Sequence, residues 1–359
     1  MMKRPRKRVT FVSIIFGAVL IGVVWGLHLN RQFFASEKDP LPSRGAIQVL
    51  AYKGLLSTKL LEEFEKRTKI RVQVDEADNP EDLWEKLEAS VMNPAPTIDL
   101  VTLFSFQVPL AIQLARIQPV HEDYVPNMKH VSPDFRYLPG ETAFDRVLPV
   151  LWGVLGIAYH GSTPVPPPRL WSELFNSNRY KGQIALPSST SLISKLGRIF
   201  DTGQDLRKTI SKITSSATIV PNFMSAAAVL ESNVKPNIIA VHHGEMAFAP
   251  FQSQEWNFMI PEEGGIFWSL VFALHPDSKK AREAHEFLNF LLEFDSAVEL
   301  TQSFRQASTN RQLEGSRLDA RLKPSYLRQL PLPSLDIPRD FSRARELREL
   351  LKKAEQGGN

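Results

Sequence analysis

No cysteine occurs among the 359 residues, which excludes disulfides, thiolate metal sites, a cysteine nucleophile and the acylated cysteine of a lipoprotein. Motifs of common catalysis are missing too: there is no G-x-G-x-x-G, no Walker loop, no H-E-x-x-H and no G-x-S-x-G. Acidic residues are absent before Glu37, a stretch that holds Lys3, Arg4, Arg6, Lys7, Arg8 and Arg31. With a formal charge of +4 for the whole chain, the part after these six cations sums to −2. A body so close to neutral, without a basic stripe or zinc-finger spacing, carries no electrostatic footprint for nucleic acid. The nearest approach to a metal cluster is His242-His243-Gly244-Glu245. Adjacent residues of a strand point to opposite faces, so these two imidazoles do not share one ion. We therefore expect no catalytic residue, no metal and no cofactor.

What is present begins with an uncharged run of 19 residues, 9–27 (VTFVSIIFGAVLIGVVWGL), directly after KRPRKR. At about 1.5 Å per helical residue it matches the thickness of a bilayer core. The basic flank holds the N-terminus in the cytoplasm and places the chain from about Arg31 onward outside the inner membrane. The one candidate signal-peptide cleavage site, Phe33-Phe34-Ala35, has a bulky residue three before the cut, so the run (1–30) reads as a retained anchor. A Pro-interrupted linker follows at 31–45.

From residue 46 strand and helix patterns alternate. AIQVLAY (46–52), IRVQV (70–74) and IDLVTLF (98–104) read as strands; a helix capped by Ser57-Thr58 carries Leu60, Leu61 and Phe64, a second carries Trp84, Leu87 and Val91, and a third covers 108–114. This rhythm predicts parallel β-α-β pairing in an α/β fold. Residues 148–160 form one long extended segment, PVPPP (164–168) a rigid turn, and further strands fall at 183–186, 238–241 and 266–274. Helices are expected from Trp171, from Ser189, at 281–292 and at 341–354.

The order of these elements, together with LLEEFEKRTKIRV (60–72), PVLWGVLGIAYH (149–160), LWSELF (170–175), RYKGQIAL (179–186), PEEGGIFW (261–268), AHEFLNFLL (284–292) and STNRQL (308–313), resembles the periplasmic spermidine/putrescine-binding proteins, extracellular solute-binding receptors of ABC transporters. The resemblance implies an α/β, two-lobed periplasmic-binding-protein fold of type II, each lobe a mixed sheet flanked by helices, with two hinge crossings. Lobe 1 would take 46–150 plus 265–359 and lobe 2 would take 151–264. It further implies a periplasmic receptor that performs no chemistry on a small solute held between the lobes and passes it to an inner-membrane permease. The alternative is a membrane-tethered sensor that signals to a membrane partner; an enzyme is the remote third.

Residue by residue, the family's aromatic box falls on Tyr52, Phe106 and Trp268, with His242 at a further aromatic position and Leu55 in place of a tyrosine. The acids that pair with the ammonium groups of a polyamine are replaced by Leu270, Ser189 and Leu192. A buried organic dication without counter-charge costs several kcal/mol per charge. Ser188, Ser189, Thr190 and Ser191 instead offer hydroxyls and free N–H groups at a helix start, and Lys53 adds a cation beside Tyr52, an arrangement suited to an anionic or zwitterionic solute. One serine acting as a simple helix cap is the plainer alternative.

The retained anchor makes a direct prediction. Intact-mass measurement of protein extracted from membranes should find residues 9–27 still attached, whereas a new N-terminus near Ser36 in the soluble periplasmic fraction would refute it.

Overall fold

The computed structural model describes residues 44–92, 98–135, 146–162, 166–176, 178–189, 193, 196–197, 206–220, 227–230, 236–253 and 255–331. The chain forms two compact units, Met1–Arg44 and Gly45–Asn359. The apolar run at 9–27 and the helix expected at 341–354 lie outside the described residues. Among the described residues no helix is long and apolar enough to cross a membrane.

The second unit opens with the expected alternation: β1 (Ala46–Tyr52), α1 (Thr58–Thr68), β2 (Arg71–Ala77), α2 (Pro80–Met92), β3 (Leu100–Phe104) and α3 (Val108–Gln113). Ser57 caps α1, its hydroxyl accepting from Leu60 N–H at 3.3 Å, and Lys69 closes the helix in the left-handed conformation. Next come β4 (Val147–His160), α4 (Trp171–Asn176), β5 (Ile184–Pro187), α5 (Leu206–Ser216), β6 (Ala217–Val220), α6 (Ala227–Leu230), β7 (Ile238–His242) and β8 (Trp256–Met259). The described part ends with β9 (Ile266–Leu274), α7 (Ala281–Leu291), α8 (Phe294–Phe304), β10 (Ala307–Ser308) and short 3-10 turns. Phe287 and Phe290 of α7 pack on Phe64 of α1 at ring separations of 4.9 and 5.2 Å, which fixes these two helices against each other.

The ten strands among the described residues belong to one sheet, in the order β2-β1-β3-β9-β4-β7-β5-β6, with β8 and β10 joining β4 off this path. Parallel pairs stand at the two ends, β2-β1-β3 and β7-β5-β6. Between them β9 and β4 run antiparallel to each other and to their outer neighbours. The pairing is therefore mixed, parallel at the ends and antiparallel in the middle, since strand-helix periodicity reports only on neighbours joined by a helix. Strands β6 and β8, four residues each, escaped the sequence because so short a run has no measurable period. The register of β4 on β9 shifts between Pro149 and Leu151, and just beyond it β10 pairs with Leu151 and Trp152.

His243 ties β4 to the C-terminal turns. Its Nδ1 accepts from Val154 N–H at 3.0 Å, so its other nitrogen, 3.0 Å from the Arg321 carbonyl, carries the hydrogen. The ring lies between Trp152 and Tyr326, at 4.4 and 5.5 Å. Burial depresses its pKa from 6.5 to about 3. Between those values the unfolded chain binds the proton and the folded chain does not, so this contribution to stability is lost as pH falls from about 6.5 towards 3, at about 1.4 kcal/mol per pH unit. His243→Gln should therefore lower the urea midpoint at pH 7 yet flatten its fall between neutral pH and pH 4; an unchanged slope would refute the assignment.

Candidate functional site

Two sets of strand ends face each other along β4 and β9. The parallel strands β1 and β3 end at Tyr52 and Phe104, and Phe104 lies level with Leu270 and, across β9, with Leu151. From the other side β5 and β7 end at Pro187 and His242, and His242 lies level with Leu155. Only three residues of β4 lie between Leu151 and Leu155, which are roughly 13 Å apart along the strand. The carboxyl ends of parallel strands, where open α/β sheets place ligands, thus converge on one short stretch from both directions.

Trp268 of β9 stands in that stretch, paired with Gly153 of β4. Its ring meets Phe104 edge-on at 5.2 Å and His242 edge-on at 5.3 Å, so it touches both sets of strand ends. Its indole N–H donates to His242 Nδ1 at 2.9 Å. An indole nitrogen only donates, so neutral His242 keeps its own hydrogen on Nε2. On the other side of Phe104 lie Phe106, stacked at 5.4 Å, and Tyr52, tilted at 4.8 Å. Tyr52, Phe104, Trp268 and His242 are each no more than 2% exposed, while Phe106 is half-buried.

The Tyr52 hydroxyl donates to Gln107 Oε1 at 3.2 Å; that oxygen also accepts from Phe104 N–H, and Gln107 Nε2 donates to the Pro80 carbonyl. Burial, then the negative charges of Glu81 and Asp82, push the Tyr52 pKa well above its usual value. Glu81, on this side, and Glu245, three residues past His242 in the chain, are both buried.

The structure brings together Tyr52, Phe106, Trp268 and His242 from the sequence-derived set. Lys53 does not join them: it is exposed and ion-paired with Asp78 at 3.8 Å. Ser188 and Ser189 are buried directly after β5, and the Ser189 backbone carbonyl accepts from Ile193 N–H at 2.9 Å. Thr190, with Ser191 and Leu192, lies outside the described residues. Leu55 and Leu270 are wholly buried. The two imidazoles part as the strand pattern requires, His242 to the ring cluster and His243 to Val154 and Arg321, and among the described residues no group of three potential ligands holds a metal.

Three residues were missed. Phe104 ends an apolar strand and looked like core, and Gln107 lies three positions on, at the start of α3. Gln306 is fully buried, and among the described residues neither atom of its side-chain amide has a hydrogen-bond partner. A methyl group on Gly244 would press on Gln306 and Arg305, so Gln306 sits against the turn that follows His242. Its only sequence signal is its place two residues before STNRQL.

Three comparisons bear on this arrangement. The family described as "Bacterial extracellular solute-binding protein" matches residues 59–310. The spermidine/putrescine-binding periplasmic protein of Escherichia coli (strain K12) is 24% identical over 263 residues, 70% of this chain and 74% of that one. A norspermidine sensor of Vibrio cholerae serotype O1 is 24% identical over 283 residues, 74% of this chain and 75% of that one. Among solved structures, a putative spermidine/putrescine ABC transporter from Listeria monocytogenes superposes with a TM-score of 0.70 at 22% identity, covering 86% of this chain and 98% of its own. Iron-bound HitA from Pseudomonas aeruginosa gives 0.64 at 13% identity, covering 85% and 99%. The fold is the two-lobed one of these solute-binding proteins.

A methyl group added at Gly153 would overlap the Trp268 ring. Gly153→Ala should therefore cost about 1 to 3 kcal/mol by overpacking and change the fluorescence of Trp268, read against a Trp268→Phe control. Unchanged stability and emission would show that Trp268 does not lie on Gly153.

Proposed function

Because the chain belongs to the bacterial extracellular solute-binding proteins, we propose that it captures a small solute in the periplasm and delivers it to the inner-membrane permease of an ABC-type uptake system. The observation that carries this is the ring cluster of Tyr52, Phe104, Phe106, Trp268 and His242, assembled where the strand ends of the two halves of the sheet meet. We place lobe 1 at 46–150 plus 265–359 and lobe 2 at 151–264, so that the chain crosses once within β4 and returns just before β9. The segment at 9–27 tethers the receptor to the inner membrane. Closure then draws its energy from a solute touching both lobes.

The solute we favour is a zwitterion, or an anion, rather than a polyamine. Leu270 stands wholly buried where the family resemblance puts an acid. His242 accepts the Trp268 indole N–H at Nδ1, so the neutral imidazole carries its hydrogen on Nε2, a donor character that suits an oxygen and not an ammonium group. Ser188 and Ser189 place two hydroxyl groups directly after β5. Glu81 and Asp82 beside Tyr52 supply negative charge at the opposite margin, which suits the ammonium end of a zwitterion.

The norspermidine sensor among the relatives, together with the N-terminal tether, favours a sensor as the second assignment. Neighbouring genes for a permease and an ATPase support uptake; a neighbouring kinase or cyclase supports sensing.

A thermal-shift screen of the chain against amino acids, dicarboxylates, phosphorylated solutes and polyamines tests the charge selection, because a ligand specific to the folded state raises the melting temperature. Zwitterions or anions should stabilise more than spermidine. Ser189→Ala combined with Lys53→Ala should weaken them by one or two orders of magnitude, with the buried Ser189 carrying most of the effect, and Trp268→Ala should weaken every cleft ligand. Micromolar spermidine binding untouched by the double variant would overturn the assignment.

A further inference from the structure

A second concavity, of about 560 Å3, lies between α1 and the α7–α8 pair and shares no residue with the ring cluster. Two ion pairs brace its walls: Lys59 with Glu299 at 2.6 Å and Arg67 with Glu293 at 2.7 Å, the Arg67 guanidinium lying 5.2 Å over the Phe290 ring. Four charged lining residues remain outside any ion pair among the described residues: Glu62, Glu63, Asp295 and Lys66. Their sum is two negative charges. Leu60 and Phe290, both nearly fully buried, give the cavity an apolar floor. Ser296, only 4% exposed, also lines it, and its hydroxyl makes no hydrogen bond among the described residues.

The shape of this charge selects among cations. Among the described residues no three acidic or imidazole groups converge closely enough to hold a metal ion, so a compact divalent cation finds no coordination shell here. The carboxylates outside the ion pairs stand on different helices, Glu62 and Glu63 on α1 and Asp295 on α8, Glu63 acting on Arg67 and Asp295 on Lys59 at longer range, with apolar side chains in the floor. An elongated cation meets both features, its charged ends at the carboxylates and its methylene chain on Leu60 and Phe290. We propose that this cavity is a second binding site, for an organic dication of the alkyldiammonium type. The Ser296 hydroxyl accepts from one ammonium group. Binding here is partly screened by solvent, so it is weaker than cleft binding and falls with salt. The site stands whether or not the cleft takes a zwitterion.

Calorimetry of the full-length chain in detergent at low ionic strength, with 1,5-diaminopentane as probe, tests it. Saturable binding at low millimolar concentration or tighter is expected, lost with added salt and much weaker for pentylamine. Glu63→Gln with Asp295→Asn should weaken the diamine about tenfold without changing the melting temperature of the free protein, while Trp268→Ala should leave it unchanged. Equal affinity in the double variant overturns the site. Loss of binding in Trp268→Ala instead assigns the diamine to the cleft and overturns both this site and the charge selection proposed there. No diamine binding at all overturns the site and leaves the cleft assignment intact.

Discussion

Everything at the centre of this protein depends on one close approach, the Trp268 indole lying on Gly153. Two antiparallel strands, β4 and β9, carry the chain between the halves of the sheet, and the strand ends of both halves stop within a few residues of this pair. A side chain at position 153 would occupy the space the indole needs. With glycine there, one large ring reaches Phe104 on one side and His242 on the other. The two halves are therefore coupled through this aromatic residue as well as through the backbone.

Polar chemistry around the rings follows from the same placement. The indole donor fixes the tautomer of His242, and so decides which hydrogen-bonding character that imidazole presents. Gln107 does the corresponding work for Tyr52, holding the phenol, the Phe104 backbone and the Pro80 carbonyl at once. Proteins of this fold include one solved with iron and others named for polyamines, so the fold leaves ligand choice to the side chains at the strand ends. In this chain those strand ends carry Tyr52 and Phe104 on one side and His242 on the other.

The neighbouring histidines show how strand geometry divides labour. His242 turns to the rings, while His243 turns the other way and joins β4 to the turn at Arg321, sandwiched by Trp152 and Tyr326. The segment after β10 is thereby fastened to the turn following β7, which links the end of the described chain to the region beside the ring cluster.

Local pattern alone determined a good deal: the β-α-β opening, the Ser57 cap, the long extended segment that became β4, the buried β9 and the opposed histidines all rest on periodicities of two or 3.6 residues that the amino acids display directly. The string of motifs added the family and the positions of Tyr52, Phe106, Trp268 and His242. Tertiary structure decided the rest. Antiparallel pairing of β9 with β3 and β4 joins segments far apart in sequence, and no local period encodes it. Phe104, Gln107 and Gln306 read as strand end, helix start and loop, and became neighbours of the site only when folding brought the strand ends and the turn after His242 together. Lys53 moved the other way: adjacent to Tyr52 in sequence, it points to solvent and pairs with Asp78, because successive side chains at a strand end diverge.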